Sequence, residues 1–195
     1  VVVPEWKQPS DGPSTNGIKL MTCHVARGAP NVQDPAWNSH SKLNCIAACI
    51  QSNKMGADEA IMLDPNGFVS TCNSVNFFCV RKIGYGEDAT IEVWAPTPRY
   101  QMAGITRWNV IRACRAAGIT VKEHDFYLTS VYGALEVFVT GTFAGVIPVT
   151  SVDGRTIGEG KRGPIVEKIQ GLYKALVKKD VGNGRLPSES SYPKL

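Results

Sequence analysis

The apolar residues of this chain come in short runs of strand length, each closed by a Gly, Pro or Asn turn. That punctuation constrains the fold more than any other feature of the sequence. Ile18-Lys19-Leu20-Met21-Thr22-Cys23 alternates well enough for a strand. Glu59-Ala60-Ile61-Met62-Leu63, Phe68-Val69-Ser70 and Asn76-Phe77-Phe78-Cys79-Val80 are separated by tight turns, the first of them Pro65-Asn66-Gly67. They predict a three-stranded meander. A polar, Gly-rich loop over 83–90 precedes a further strand at Ile91-Glu92-Val93-Trp94. Strands are expected again over 121–125 and 136–140, around a helical turn at 126–132. Another covers 146–152 and runs into the Asp153-Gly154 hairpin turn.

Helical spacing occurs in three separate places. Over 42–55, Leu43, Ile46, Ala47 and Ile50 fall at i, i+3, i+4, i+7 and predict a buried helix face, with Ser39 or Ser41 as cap and Gly56 as terminator. Over 106–117, Val110, Ile111, Cys114 and Ala117 share a face, and Gly118 stops the helix. The last helix starts with Pro164 at its first position and carries Ile165, Ile169, Leu172 and Leu176 inward. Grouped strands with three separate helices predict an α+β fold with mixed or antiparallel strands, not a repeating βαβ sheet. The first seventeen residues, with Pro4, Pro9 and Pro13, read as a short strand and a linker.

A length of 195 residues is about one domain's worth on a prior of ~150 residues per domain. With 43% hydrophobic and 19% charged residues the composition is that of a globular protein. A net charge of +4 is small for a nucleic-acid binder, and the most basic stretch, 161–179, is interrupted by Glu167 and an apolar stripe. No window approaches the ~20 apolar residues needed to span a bilayer, so neither nucleic acid nor membrane is an expected partner. The chain begins with Val1 and not Met, which suggests a processed form or a fragment. Its six cysteines lie in apolar segments, without CxxC pairs or His at zinc spacing. They read as reduced core thiols in the cytoplasm or an organelle matrix. His24, His40 and His124 are scattered, so no metal site is expected.

Three places could carry chemistry. Gly104-Ile105-Thr106-Arg107 opens a helix, whose free N–H groups and dipole could hold a phosphate; the alternative is a Gly turn with a Thr cap. Thr140-Gly141-Thr142 follows an apolar strand and offers hydroxyl and amide donors. Lys42, within Ser39-His40-Ser41-Lys42-Leu43-Asn44, stands just before an apolar helix. It is either a Schiff-base lysine or a first-turn lysine with its amine in water.

Taken in order, these segments resemble the class IV pyridoxal-phosphate aminotransferases, the group of the branched-chain and D-amino-acid aminotransferases and aminodeoxychorismate lyase. The resemblance is carried by Gly56-Ala57-Asp58-Glu59-Ala60-Ile61-Met62-Leu63-Asp64, Asn76-Phe77-Phe78, Gly104-Ile105-Thr106-Arg107 and Thr140-Gly141-Thr142. Ile147-Pro148-Val149, Val152-Asp153-Gly154-Arg155 and the segment 158–163 complete it. It runs over about 18–177, the family's larger, cofactor-binding domain. It implies pyridoxal 5'-phosphate as cofactor, its phosphate held by Gly104, Ile105, Thr106 and Thr142. It also implies a substrate carboxylate held by the amides around Thr142 and Phe143.

The sequence departs from the family in three respects. Where the family places a Glu beside the pyridine nitrogen stands Thr71, which predicts a weaker electron sink. Counting back from Gly56, the family's lysine position holds Asn38. Lys42 lies one helical turn further on and is the expected cofactor lysine and proton carrier. The family's small N-terminal domain has no counterpart before the segment 1–17, so it is expected on another chain or lost. The expected organisation is therefore an interdomain segment over 1–17, a cofactor-binding domain over 18–180 and a flexible tail over 181–195. The expected activity is amino-group transfer between an amino acid and a 2-oxo acid. The alternatives are a lyase of the aminodeoxychorismate type and a catalytically inactive subunit of a larger assembly. The expected protein partner is a second copy of the chain, or the N-terminal domain on another polypeptide.

Overall fold

The run from Asn76 to Val80 is buried throughout, because the sheet to which it belongs has a core on each face. Phe77 and Cys79 join Val137, Val139 and Phe126 on one side. Phe78 and Val80 join Phe138 on the other, where the rings of Phe78 and Phe138 stack with centroids 4.7 Å apart. Period-two alternation thus sends apolar side chains to both faces, and each enclosed Phe contributes about 1.5–3 kcal/mol of transfer free energy.

The structure, a computed structural model, describes residues 2, 4, 5 and 11–182. Its elements are, in chain order, α1 (Asp11–Asn16), β1 (Ile18–Thr22), α2 (Leu43–Lys54), β2 (Glu59–Leu63), β3 (Val69–Cys72), β4 (Asn76–Ile83) and β5 (Thr90–Ala95). They continue as α3 (Ile105–Ala116), β6 (Thr120–Glu123), α4 (Leu128–Tyr132), β7 (Glu136–Gly141), β8 (Gly145–Val152), β9 (Arg155–Thr156) and α5 (Pro164–Gly182). Short 3-10 turns occupy Gly86–Asp88 and Pro98–Tyr100. One mixed sheet runs β3-β2-β1-β8-β7-β4-β5-β6, with β9 on β8. β1 is parallel to β2 and β8, and β5 to β6; the other pairs are antiparallel. This is the α+β architecture expected, with α2, α3 and α5 as its main helices.

Several expectations are corrected. The meander stops after two strands: β2 and β3 pair, but β4 lies between β5 and β7. The turn 73–75 is held to β2 by the Ala60 amide donating to Asn73 Oδ1 at 2.7 Å, and the chain leaves it for the far part of the sheet. The expected linker contains a helix, α1, packed on β8, with Pro13 in its first turn.

The α2 face is reversed. Ala48 and Ser52 are its buried residues, whereas Leu43, Ile46 and Ile50 are 76%, 50% and 52% exposed. Cys45, Ala48 and Ser52 form a second stripe at i, i+3, i+7, and small side chains let the helix approach β1 and β2 closely. Ala48 packs there on Cys23, Ala60 and Met62. Neither Ser39 nor Ser41 caps α2; Lys42 occupies that position without a side-chain cap, and Gly56, at φ +72°, follows the C-terminal end.

In α3, Val110, Ile111 and Cys114 are buried as expected, while Ala117 lies beyond the helix end and is exposed. In α5, Ile169 is buried along with Val166 and Gln170, and Ile165, Leu172 and Leu176 are only half-buried. The α5 N-terminus meets a carboxylate that its own sequence does not announce. Glu136 of β7 accepts the amides of Ile165 and Val166 at 2.9 and 2.7 Å. Gly163 makes room for it: a Cβ there would stand 2.2 Å from the Glu136 carboxyl carbon. The expected tail lies, over 183–195, outside the described residues, and 181–182 belong to α5.

Candidate active site

The loop from Arg27 to Lys42 has few apolar anchors, and it arches over the turn that leaves β3. Between them lies a cleft of about 430 Å³, lined among others by Arg27, Asn38, Lys42, Thr71, Asn76 and Met102. Two of the expected site residues, Lys42 and Thr71, thus share one cavity of a size suited to a small cofactor. The Lys42 ammonium donates to Asn38 Oδ1 at 2.8 Å. Lys42 and Asn38, the residue expected at the family's lysine position, are therefore in direct contact.

Thr71 is 5% exposed, and its hydroxyl donates to the Val75 carbonyl at 3.0 Å. Below it, burial pushes the Cys72 thiol well above its usual range, so that side chain stays neutral. Burial also raises the Glu59 carboxyl, against the lowering effect of hydrogen bonds from the Ser74 hydroxyl and amide.

The phosphate-binding candidates border this cleft without lining it. Asn76, the first residue of β4, donates to Gln101 Oε1 at 2.8 Å and to the Met102 carbonyl at 2.9 Å, which brings the start of α3 to the rim. A Cβ on Gly104 would lie 2.2 Å from Asn76 Oδ1, so only glycine permits this approach. Gly104 is the N-cap of α3 with no side-chain cap bond, which leaves the first-turn amides without the partner a capping side chain would provide. Thr106 is buried and Ile105 exposed. Arg107 turns away: it donates to the Pro96 carbonyl and to Glu123, each at 2.9 Å.

Thr142 and Phe143 are exposed in the β7–β8 hairpin turn. That hairpin abuts the cleft at Gly141, where a Cβ would meet Val75 Cγ1 at 3.0 Å. Lys42 and Thr71 are thus gathered in the cleft, while Gly104, Ile105, Thr106, Thr142 and Phe143 lie on two loops beside it. Among the described residues no group of His, Cys, Asp and Glu is arranged to hold a metal ion.

Sequence reasoning missed Arg27. Its Nε donates to the Tyr100 carbonyl at 2.8 Å and its Nη1 to Cys45 Sγ at 3.0 Å. The only signal was a lone cation in a Gly- and Pro-containing loop, where no periodicity marks a face. Asp34 is the one carboxylate among the described lining residues, against two cations. The cleft therefore favours an anionic guest.

Residues 1–152 match the family described as Amino-transferase class IV. The chain belongs to that family. It is 38% identical over 179 residues to branched-chain-amino-acid aminotransferase-like protein 2 of Arabidopsis thaliana, across 90% of this chain and 30% of that protein. The branched-chain amino acid aminotransferase of Escherichia coli superposes with a TM-score of 0.79 at 32% identity, over 88% of this chain and 55% of that one. The branched-chain aminotransferase of Thermoproteus uzoniensis, solved with norvaline, gives 0.75 at 29% identity, over 84% and 52%. This class IV chain spans about a third of the plant relative and a little over half of the two solved enzymes, and it corresponds to the C-terminal part of the solved enzymes.

Proposed function

We propose that this chain is the cofactor-binding part of a pyridoxal 5'-phosphate-dependent aminotransferase that moves an amino group between an amino acid and a 2-oxo acid. The observation that carries the reading is the 2.8 Å contact of Lys42 Nζ with Asn38 Oδ1 inside the cleft that Thr71 also lines. Residues 38–42 belong to the loop before α2, and the path of that loop brings the amine of Lys42 to the side chain of Asn38. The residues present suit the cofactor on two further grounds. Gly104 lets the start of α3 pack against Asn76, where a Cβ would stand 2.2 Å from Oδ1, and the uncapped start of the twelve-residue α3 brings donors suited to a phosphate to the rim.

When bound, pyridoxal 5'-phosphate supplies an aldehyde that takes up an amino group and an aromatic ring that delocalises the electron pair left at the substrate's α-carbon. Lys42 would hold the cofactor and, as a free amine, would be the base for the α-carbon proton. The amides of Ile105 and Thr106, with the hydroxyls of Thr106 and Thr142, hold the phosphate dianion. The backbone at Thr142 and Phe143 receives the substrate carboxylate, the group common to all amino acids. Thr71, which lines the cleft, would be the neighbour of the ring nitrogen. The named relatives support an aminotransferase over a lyase or a catalytically silent subunit.

The protein partner in this reading is a second copy of the chain, seated over the open side of the cleft. Six free thiols support a reducing compartment, the cytoplasm or an organelle matrix. No helix of the described residues is long and apolar enough to cross a membrane.

The test is to load the full chain with pyridoxal 5'-phosphate, reduce with borohydride and map the labelled peptide. The label is expected on Lys42 and absent from Lys42→Ala, which stays folded by circular dichroism and loses cofactor-linked turnover. A label on another lysine, or unchanged turnover in Lys42→Ala, overturns the assignment.

A further inference from the structure

A threonine hydroxyl has one proton to give and two lone pairs to offer. At Thr71 the proton is committed. Oγ1 donates to the Val75 carbonyl at 3.0 Å, and that carbonyl also accepts the Cys72 amide at 2.9 Å. The tight turn 72–75 therefore holds the hydroxyl by way of an oxygen that is itself fixed. Thr71 is β-branched, 5% exposed and part of β3, so its side chain has little rotational freedom with which to exchange this bond for another. With its proton so held, all that this oxygen can offer a guest in the cleft is lone pairs.

A ring nitrogen placed opposite it can bond in one protonation state and not in the other. A protonated nitrogen carries an N–H that Thr71 can accept, whereas a deprotonated nitrogen carries a lone pair, and two lone pairs facing each other form no bond. We propose that Thr71 makes the protonation of the cofactor's ring nitrogen conditional on pH: it binds the protonated nitrogen as a neutral acceptor, weakly enough that the proton is lost within the physiological range. The inference rests on the functional reading above.

The surrounding charges point the same way. From the loop that ends at α2, Arg27 brings positive charge into the cleft and opposes another positive charge there. The Asp34 carboxylate is engaged at its own turn, where Oδ1 accepts the Ala36 amide at 2.9 Å. On α2, Cys45 holds its thiol against Arg27, and on β3 the Cys72 thiol is buried and neutral. Glu59 on β2 is bonded to Ser74 and does not line the cleft. On the 3-10 turn packed against β3, Arg99 is paired with Asp125. No described carboxylate is placed to replace a glutamate at Thr71.

At low pH the nitrogen is protonated and the ring is a strong electron sink; as pH rises the proton leaves, the Thr71 contact is lost and proton abstraction at the α-carbon slows. A carboxylate at the same place would hold the proton to higher pH.

The experiment is a pH titration of the full chain loaded with pyridoxal 5'-phosphate carrying 15N in the ring, followed by the 15N chemical shift. The wild-type resonance is expected to move from the protonated to the deprotonated limit as pH rises. Thr71→Glu should stay at the protonated limit throughout, and the near-isosteric Thr71→Val should lose the proton at lower pH than wild type. A Thr71→Val curve that superimposes on wild type, or a wild-type nitrogen protonated throughout, overturns the inference while leaving the cofactor site standing. Absence of any bound resonance overturns the functional reading and this inference with it.

Discussion

Cys45 is half-buried, with its sulfur 3.0 Å from the Arg27 guanidinium at the edge of the cleft. Cys79 is fully enclosed in the sheet, where burial pushes its thiol up to about 12. Cys114 is raised to about 11 by burial, and burial also raises Cys23 and Cys72. Only the thiolate attacks a disulfide reagent, so in the native protein Cys45 and Cys49 should react first and the other four only on unfolding. Bound pyridoxal 5'-phosphate should slow Cys45, which lines the cleft, and leave Cys49 unaffected. Mass mapping after brief exposure to an aromatic disulfide checks this, and equal labelling of Cys79 and Cys45 would contradict it. The sequence made all six look like core residues because each lies in an apolar run. Hydropathy does not reveal that the apolar run holding Cys45 and Cys49 turns half of itself outward. Lys42 and Thr71 were legible as residues, yet their common cleft depends on the path of the loop from Arg27 to Lys42, which carries no periodic signal.

At the scale of elements, α5 depends on a contact from another strand. Pro164 marks its start in the sequence, but the carboxylate that accepts the amides of Ile165 and Val166 belongs to Glu136 on β7. Charge-assisted bonds at a helix N-terminus are worth about 2 kcal/mol when partly buried. Glu136→Ala should therefore lower unfolding stability in urea by about that amount. Glu167→Ala, which removes an exposed partner of Arg162, should cost well under ~1 kcal/mol. Equal losses in the two variants would show that the cap does not hold the helix. The same distinction separates α3 from α2. The stripe of Val110, Ile111 and Cys114 is the apolar face of α3 and meets a core, so periodicity alone locates its buried side. In α2 two stripes coexist, and the sheet selects the one with the smaller side chains because it allows closer packing.

For the molecule as a whole, the reversed α2 leaves a broad apolar surface beside the cleft. Trp37, 68% exposed, stands in the loop before α2 and lines the same cleft as Leu43. Contiguous apolar surface of this kind marks an interaction site. Under the proposed assembly, Ile46→Asp with Ile50→Asp should convert the chain to monomer in light scattering and leave its far-ultraviolet circular dichroism nearly unchanged. An unchanged mass would remove α2 from the contact. Local chemistry in the sequence determined which segments are strands, where Gly and Pro end them, and the order of motifs that marks a class IV aminotransferase. Those are properties of neighbouring residues, set by backbone sterics and by period-two or period-3.6 burial. The tertiary structure alone decided that β4 leaves β3 for β5 and β7, that Glu136 caps α5, that α2 shows its larger side chains to solvent, and that Lys42 meets Asn38 in the cleft that Thr71 lines. Each of these pairs groups far apart in the chain or chooses between two faces of one element, and such choices depend on which packing buries the most surface with its polar atoms satisfied.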